Sequence, residues 1–311
     1  MERAAHGKKI VFLFLDGFGL GPEGALNPIR PGRLPGLESI VGRALTAGPE
    51  SCGPDFLLKP IDACLGVPGV PQSATGQTAL FTGVNAPGFL GYHYPAFPNK
   101  PLVDIILREN VYAKAAALGT SCRFANAYST LYFQYVQEKR RRHSVTTHCL
   151  LAAGLPILTL DDMREGRAVF WDITRAALAS YPIEETYPTV TGREAGGHLA
   201  VLSREHDLVV FETFLPDLIG HKRNERSAVE FLGLLDEFLL GLRQDLEPET
   251  SVVLSSDHGN MEDLSTGMHS TNPVPLLVLG PAAPLFRRVG DITGITPAIL
   301  ETLAGGKENH G

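Results

Sequence analysis

Short, wholly apolar runs alternate with amphipathic segments along this chain. The runs KIVFLFL, DLVVFETF, SVVLSS and PLLVLG are typical of strands buried on both faces, and CRFANAY predicts a further strand. Helical spacing occurs in PGLESIVGRAL, in residues 192–204 and 228–242, and in ITPAILETLAG. This alternation predicts an α/β fold, a mostly parallel β-sheet sandwiched by helices, in a single domain spanning residues 1–311.

Two stretches interrupt the alternation. Residues 85–101 are rich in proline and glycine, and residues 131–167 are irregular in their hydrophobic pattern. Long connections of this kind are often functional rather than structural. We expect each stretch to contribute at most small cap elements to the catalytic domain.

Acidic and imidazole side chains follow three of the predicted strands. They are Asp16 after the first strand, Asp217 and His221 after DLVVFETF, and Asp257 and His258 after SVVLSS, with His269 before the last strand. Working residues of open α/β sheets gather at the carboxyl ends of the strands, so neighbouring strands would bring these groups to one rim. Mixed oxygen and nitrogen ligands of this type suit Zn²⁺ or Mn²⁺ better than Mg²⁺. The pattern predicts two divalent ions, as used for in-line phosphoryl displacement.

Each of these three motifs also has an ordinary structural interpretation. An Asp-Gly pair after a strand is usually a turn, and a D-x-x-x-H pair is often a surface pair on a helix. Asp-His-Gly-Asn can be a loop signal. The three together, each at the end of a strand and with a further histidine nearby, favour a metal site over three turns.

Residues 71–83, PQSATGQTALFTG, supply a candidate nucleophile. The glycine permits close approach of the backbone, and the spacing after it predicts a short helix. A hydroxyl at a helix N-terminus meets backbone N–H groups that can hold a phosphate, so Ser73 or Thr75 could serve. The alternative is a serine or threonine that only caps the helix.

Composition narrows the class of protein. The chain has 311 residues, of which 44% are hydrophobic and 20% charged, with a formal net charge of −7. That balance argues against a nucleic-acid partner. Four cysteines without a C-x-x-C pair predict reduced thiols and a cytoplasmic location. The first apolar run is too short for a signal peptide or a membrane span, so no membrane association is expected.

The motifs in their order resemble those of the alkaline phosphatase superfamily. DGFG, Ser73 before x-x-Gly, PDLIGH, and DHGN followed by HSTNPVPLLVLG are most similar to the cofactor-independent phosphoglycerate mutase and phosphopentomutase branch. The resemblance implies an alkaline phosphatase-like core and a catalytic Ser73. It also implies one metal on Asp16, Ser73, Asp257 and His258, and a second on Asp217, His221 and His269.

The sequence departs from that branch in two ways. Gln77 stands where the family's S-x-x-G-H motif has histidine, and the interval from Ser73 to Asp217 leaves no room for the large inserted domain of the mutases. Substrate contacts must therefore come from elsewhere. The candidates are Gln77, His93, Arg140, Arg141, Arg142, Lys222 and Arg223, although a charged run such as 139–142 is often a solvated helix face.

These observations predict a two-metal-dependent phosphohydrolase or phosphotransferase that acts on small phosphate esters through a phosphoserine. One alternative is a phosphomutase acting on phosphoglycerate or a sugar phosphate. Another is a non-catalytic, metal-stabilised binding protein of the same fold. Sulfate or phosphonate chemistry, the particular substrate and the oligomeric state stay open.

Overall fold

A seven-stranded sheet organises the computed structural model, which describes residues 9–305. Its strands and those of a separate two-stranded sheet are β1 (Lys9–Leu15), β2 (Ser51–Cys52), β3 (Phe56–Ile61), β4 (Cys122–Phe124), β5 (Ala127–Tyr128), β6 (Leu158–Thr159), β7 (Leu208–Thr213), β8 (Thr250–Ser255) and β9 (Val274–Leu279). The order in the large sheet is β2-β3-β9-β8-β1-β7-β4, and β5 pairs with β6.

The helices cover both faces of this sheet. They are α1 (Pro35–Val41), α2 (Ser73–Thr82), α3 (Ala86–Leu90), α4 (Lys100–Glu109), α5 (Val111–Ala117), α6 (Thr130–Gln137), α7 (Val145–Ala152), α8 (Leu160–Arg164), α9 (Gly192–Glu205), α10 (Leu215–Lys222), α11 (Glu225–Asp245), α12 (Ala283–Phe286) and α13 (Ile295–Gly305). Short 3₁₀ turns lie at Ala176–Ser180 and Ile292–Gly294. Within residues 9–305, no helix combines the length and the apolar character that crossing a membrane requires.

Strand β1 shows why a continuous apolar run becomes the centre of the sheet. Ile10, Phe12 and Phe14 enter the core under α2, α4, α5 and α13. Their neighbours Val11 and Leu13 enter the second core, under α1, α9 and α11. Successive side chains of a strand point to opposite faces, so a strand covered on both faces must be apolar throughout. The predicted α/β sandwich is confirmed.

Strand direction agrees with the expected mostly parallel sheet, with two exceptions, β9 and the short edge strand β2, which is antiparallel to β3. Strands β8, β1, β7 and β4 run parallel to each other. Strand β9 runs antiparallel to β8, and β3 runs antiparallel to β9, which gives β3 the common direction again. The apolar pattern of PLLVLG predicts a buried strand but carries no information about its direction.

Two elements differ from the sequence expectation. CRFANAY is interrupted after β4, because the Asn126 side chain donates to the backbone carbonyl of Glu212 (2.8 Å) and accepts from its N–H (2.9 Å). The Asn126 side chain thus takes up the hydrogen-bonding groups of Glu212 in β7 that a continuing strand would have used. The chain then turns, and β5 pairs with β6. Strand β3 has no counterpart in the prediction, since Lys59 and Pro60 obscure its hydrophobic pattern.

The two predicted cap stretches fold differently. Residues 85–101 form α3, a loop and the start of α4, whereas residues 131–167 contain α7, whose Val145 and Cys149 pack in the main core. A smaller hydrophobic cluster around Met163 and Phe170 joins β5, β6 and α8. That these elements act as a cap stays a prediction.

Close packing of α9 on α11 depends on glycines that allow the backbones to approach. A Cβ atom on Gly196 would lie 2.2 Å from the Phe238 carbonyl oxygen, and one on Gly241 would lie 2.2 Å from the Arg193 carbonyl oxygen. Any side chain at these positions would force the two helices apart. The helix pair that covers β1 and β7 therefore requires glycine there.

We expect Gly196→Ala to destabilise the protein by about 1–3 kcal/mol, because the added methyl overpacks the α9–α11 contact. Gly233→Ala is the matched control, since that glycine is exposed on α11 with no atom near an added Cβ. The control should leave stability unchanged or raise it by up to about 1 kcal/mol through helix propensity. Urea unfolding measures both, and equal midpoints for Gly196→Ala and the wild type would contradict the packing argument.

Candidate metal centre

Three adjacent parallel strands deliver the acidic and imidazole groups to one edge of the sheet. Asp16 follows β1, Asp257 and His258 follow β8, and Asp217 lies in the first turn of α10, after β7. Strand β1 lies between β8 and β7, so their carboxyl ends are neighbours. The tertiary structure therefore brings together the residues that the sequence places more than 200 positions apart.

A tight turn after β1 lets α10 approach the first strand end. Gly17 has a positive φ of 73°, and a Cβ there would lie 2.7 Å from Asp217 Cβ. The backbone N–H of Asp217 donates to the Asp16 carbonyl oxygen at 3.0 Å. Only glycine adopts this backbone conformation without strain and also leaves room for the neighbouring aspartate. The Asp-Gly pair thus forms a turn and also positions the site.

The first ligand group consists of Asp16, Asp257 and His258. His258 Nε2 lies 3.2 Å from Asp16 Oδ1 and 3.6 Å from Asp257 Oδ2, and all three side chains are buried. Ser73 Oγ approaches the same nitrogen at 3.1 Å. Neither Asp16 Oδ1 nor Asp257 Oδ2 accepts a hydrogen bond from any residue between 9 and 305. Buried, unsatisfied carboxylate oxygens that converge with an imidazole fit a divalent cation.

The second ligand group consists of Asp217, His221 and His269. The Asp217 carboxylate lies between the two rings, with His221 Nε2 3.3 Å from Oδ2 and His269 Nε2 3.3 Å from Oδ1. This group is more open than the first, since 45% of the His221 side chain is exposed. The His258 and His269 rings stack with centroids 3.7 Å apart and join the two groups. The second group is therefore the side of the site that faces solvent.

Backbone carbonyls orient all three imidazoles in the same way. His269 Nδ1 lies 3.0 Å from the Pro71 carbonyl oxygen, and His221 Nδ1 lies 2.9 Å from that of Gly267. His258 Nδ1 faces the Gly259 carbonyl oxygen at 3.4 Å. With the proton on Nδ1, each ring donates to its carbonyl and directs the Nε2 lone pair at a carboxylate. This is the outer hydrogen bonding that metal-binding histidines require.

Buried negative charge dominates the electrostatics of the two ligand groups. Burial, reinforced by the nearby Asp16 carboxylate, raises the pKa of Asp257 well above its usual range. Burial lowers the pKa of His258, but the Asp257 and Asp16 carboxylates outweigh it and raise that pKa to about 10. Burial raises the pKa of Asp217, but the hydrogen bonds from His269 and Asn260 and the charges of His258 and His269 together outweigh burial and lower that pKa to about 2. Either an extra proton on His258 or a bound cation can neutralise the buried carboxylates.

Helix α2 places the two candidate hydroxyls in different surroundings. Ser73 is the first residue of the helix, and its Oγ faces His258. Thr75 is fully buried, and its hydroxyl donates to the Gln72 carbonyl oxygen (3.1 Å) and accepts from the Tyr94 N–H (3.1 Å). The Thr75 hydroxyl is thus occupied in holding the loop at Tyr94 to the helix, and Ser73 is the hydroxyl at the ligand group.

The predicted substrate-binding residues are not gathered at one place. Gln77 Nε2 donates to Asp16 Oδ2 at 3.3 Å, so its contact orients a candidate ligand. His93 Nε2 contacts the Val67 carbonyl oxygen at 3.2 Å, and burial lowers its pKa. Lys222 and Arg223 lie at the end of α10, directly after His221.

The basic run packs on aromatic rings. Arg140 lies 4.2 Å from the centroid of Tyr135 and also pairs with Glu138. The other two contacts are Arg141 over Tyr132 and Arg142 over Phe97, each at 5.9 Å. The Arg142 contact links the two stretches predicted to form cap elements. A role of these arginines in substrate binding stays a prediction.

Buried residues missed by sequence reasoning brace the site. Glu262 accepts from the N–H groups of Gly19 (3.1 Å) and Asn260 (2.8 Å) and from Asn272 Nδ2 (3.1 Å). Asn260 Nδ2 in turn donates to Asp217 Oδ1 at 2.7 Å. An acid four residues after His258 was the available signal in the sequence. Its role became evident only when the loops it joins came together.

Glu212 is a second buried acid that the sequence did not single out. It lies in β7, inside an apolar strand, and burial raises the pKa of its carboxyl to about 8. The Asp16 and Asp257 carboxylates raise this pKa further, whereas a hydrogen bond with Thr146 opposes the shift. A carboxyl behind the first ligand group thus responds to the charge of that group.

Comparisons with known proteins agree with this arrangement. The model of a family described as the Metalloenzyme superfamily matches residues 196–305. The 2,3-bisphosphoglycerate-independent phosphoglycerate mutase of Cereibacter sphaeroides is 29% identical over 141 residues, 40% of this chain and 27% of the relative. That of Acetivibrio thermocellus is 32% identical over 108 residues, 32% of this chain and 21% of the relative. The chain thus spans about a quarter of the length of the curated relatives it matches.

Solved structures share the fold over nearly the whole chain. The alkaline phosphatase of the Antarctic bacterium TAB5 has a TM-score of 0.53 at 15% identity, covering 97% of this chain and 99% of the other. The Leishmania mexicana phosphoglycerate mutase has a TM-score of 0.50 at 12% identity, covering 97% and 96%. At these identities the likeness concerns the fold alone.

We expect the purified protein to hold two divalent ions per chain. Elemental analysis after mild dialysis should find them, and the double variant Asp217→Asn, His221→Ala should retain one. A control that changes an acid and an imidazole elsewhere, Asp161→Asn with His198→Ala, should retain both. Chelation should lower the melting temperature, since the carboxylates of the rim are then left crowded without a counter-charge. Absence of bound metal under every loading condition would overturn the assignment.

Proposed function

The chain is a member of the alkaline phosphatase superfamily, and on this premise we propose that it is a metal-dependent phosphohydrolase of small phosphate esters. In this proposal Ser73 receives the phosphoryl group, and water then releases it as phosphate. The observation that carries the proposal is the contact of Ser73 Oγ with His258 Nε2, inside the first ligand group.

The donor set supports Zn²⁺ or Mn²⁺ at both groups, with Asp16, Asp257, His258 and Ser73 around one ion and Asp217, His221 and His269 around the other. Bound divalent ions would lower the pKa of the serine hydroxyl and offset the negative charge of the phosphoryl group. Without them, three aspartates on the rim would repel an anionic substrate. The proposal therefore makes activity strictly dependent on metal.

The chain's own residues contribute orientation. Ser73 stands at the N-terminus of α2, where the helix dipole and backbone N–H groups favour an anion. Gln77, one turn later on the same helix, holds Asp16 by its side-chain amide. Ser73 Oγ lies 3.1 Å from His258 Nε2. The hydroxyl is thus fixed by its helix on one side and by the ligand group on the other.

Water is proposed as the final acceptor of the phosphoryl group. A mutase would have to enclose its intermediate while that intermediate turns, and few residues between Ser73 and Asp217 are available to do so. The interval between Ser73 and Asp217 contains α4, α5, α7 and α9, which pack in the two main cores. Outside these two cores, the same interval forms the smaller hydrophobic cluster around Met163 and Phe170. A mutase must retain its dephosphorylated intermediate while that intermediate turns, which calls for more enclosure.

A phosphomutase is the second candidate, and the matches to phosphoglycerate mutases favour it. Those matches concern about a quarter of the relatives' length, so they leave the acceptor open. A non-catalytic binding protein is the third possibility. The presence of both ligand groups together with a hydroxyl in contact with one of them argues against it.

We expect incubation with a panel of phosphate monoesters and diesters, with added Zn²⁺ or Mn²⁺, to release inorganic phosphate from at least one monoester. Phosphoglycerate and a pentose phosphate should either yield phosphate or remain unchanged. Efficient isomerisation of either compound without release of phosphate would replace the hydrolase proposal with the mutase. A chelated sample serves as the control and should be inactive.

Ser73→Ala should reduce turnover by about 10³-fold or more, because no other hydroxyl occupies its place, while the second ligand group keeps its ion. Thr75→Ala is the matched control. It should cost about 1–2 kcal/mol of stability, by leaving the Tyr94 N–H without its acceptor, and retain most of the rate. Acid quenching with substrate, followed by phosphopeptide mapping, should find the phosphate on Ser73. Phosphate on Thr75, or near-normal turnover by Ser73→Ala, would refute the assignment.

A further inference from the structure

A cleft beside the second ligand group has no part in the transfer step described above. Its volume is about 430 Å³, and it lies between residues 25–28 and the C-terminal end of α10. Leu26, Pro28 and Leu264 line its apolar side, and Lys222, Arg223 and Glu225 line its charged side. The cleft thus combines an apolar wall with charged groups, which suits a ligand that has both characters.

One segment of chain joins the cleft to the ligand group. The Gly267 carbonyl oxygen faces His221 Nδ1 at 2.9 Å, and a Cβ on Gly267 would lie 3.1 Å from Arg223 Cγ. Arg223 Nε donates to the Leu264 carbonyl oxygen at 2.8 Å. Residues 264–267 therefore contact both the candidate ligand His221 and the wall of the cleft, so the cleft and the second group are neighbours on either side of this segment.

The charged side of the cleft has an excess of positive charge. Glu225 is paired with Arg30, whereas neither Lys222 nor Arg223 forms an ion pair with any residue from 9 to 305. Both cations are exposed, on a chain whose formal net charge is −7. Two basic side chains without an acidic partner are available to an anionic group of a ligand.

The apolar side is accessible as well. Leu26 is 56% exposed, although the neighbouring Leu264 is buried. A single exposed leucine needs no explanation. Here, however, it lies on the wall of a cleft that also presents two cations without an acidic partner, and a ligand with an apolar body would cover it.

In the proposed reaction, the leaving group of the substrate would lie on the side of the site next to this cleft. Ser73 lies with the first ligand group, and in-line displacement places the leaving oxygen on the side opposite to the nucleophile. In the proposed reaction the second ligand group would take that side, since the stacked His258 and His269 rings join it to the first group and it is open to solvent at His221. The body of the leaving group would then extend past His221 towards Lys222.

We infer that the cleft binds the leaving group of the substrate. The inference rests on the proposed function, and it specifies the substrate class as a phosphate monoester whose leaving group has an apolar body and ends in a second anionic group. A carboxylate and a phosphate are equivalent in this chemistry, because Lys222 and Arg223 bind either. Leu26 covers the apolar body, and the cations hold its anionic end.

The test compares two series of synthetic esters on the metal-loaded enzyme. One series is butyl, hexyl and octyl phosphate, and the other is the same chains ending in a carboxylate. Lys222→Gln should raise KM for the carboxylate series by about five- to tenfold, with kcat changed less than about twofold, and leave KM for the alkyl series nearly unchanged. A parallel series ending in phosphate shows which of the two anions is preferred.

Arg226→Gln is the charge-matched control. Its side chain is exposed on α11, pairs with Glu230 and does not line the cleft. It should leave KM of both series unchanged. Equal effects of Lys222→Gln and Arg226→Gln, or equal effects of Lys222→Gln on the two ester series, would overturn the inference.

Binding to Ser73→Ala separates failure of the cleft from failure of the proposed reaction. Calorimetry should show tighter binding of carboxyhexyl phosphate than of hexyl phosphate, and Lys222→Gln in that background should abolish the difference. If the wild type hydrolyses no ester but carboxyhexyl phosphate binds more tightly than hexyl phosphate, the proposed hydrolase function is wrong and the inference about the cleft holds. If the two esters bind equally, the cleft inference fails whatever the activity.

Discussion

Convergence of buried carboxylates at one edge of the sheet is the constraint on which the rest of the site depends. Asp16 and Asp257 lie beside each other with negligible access to water, and each has an oxygen atom without a hydrogen-bond donor among residues 9–305. Such an arrangement is unfavourable unless positive charge is supplied. The imidazole of His258 can supply it by protonation, as its raised pKa indicates, and divalent cations can supply more. The fold thus holds in place a group that is complete only with cations.

The surrounding structure serves to keep these groups in position without the ions. Backbone carbonyls of Pro71 and Gly267 fix two imidazoles, and the buried carboxylate of Glu262 ties together the loops that follow β1 and β8. Gln77 and Asn260 hold one aspartate of each ligand group. The contacts of Pro71, Gly267, Gln77 and Asn260 come from backbone carbonyls and uncharged amides, so they orient the ligands without adding a formal charge.

The two ligand groups differ in how deeply they are buried, so one side of the site faces the protein interior and the other faces solvent. The first is buried and carries the hydroxyl, whereas the second is partly exposed and opens towards the cleft at the end of α10. In the proposed reaction, a substrate would meet the second group from solvent, and Ser73 would lie deeper in the site. Under the proposed function, residues on the open side are the ones placed to select the substrate. Here that side presents Lys222, Arg223 and Leu26, and none of these residues is needed for the core itself.

The sequence predicted the hydrophobic core more completely than it predicted the contacts of the candidate site. Apolar runs such as KIVFLFL determined the buried strands, since a strand covered on both faces has to be apolar. The Asp and His residues directly after them predicted where the candidate ligands would lie. The sequence did not determine the direction of β9, because an apolar pattern is the same in either direction. It did not reveal β3, whose Lys59 and Pro60 break that pattern. Residue chemistry alone left Ser73 and Thr75 open, the resemblance favoured Ser73, and only the tertiary structure showed that the Thr75 hydroxyl is engaged by Gln72 and Tyr94. It alone revealed the roles of Gln77 and Glu262 and the cleft at Lys222, because these depend on contacts between residues far apart in the chain, which local patterns do not record.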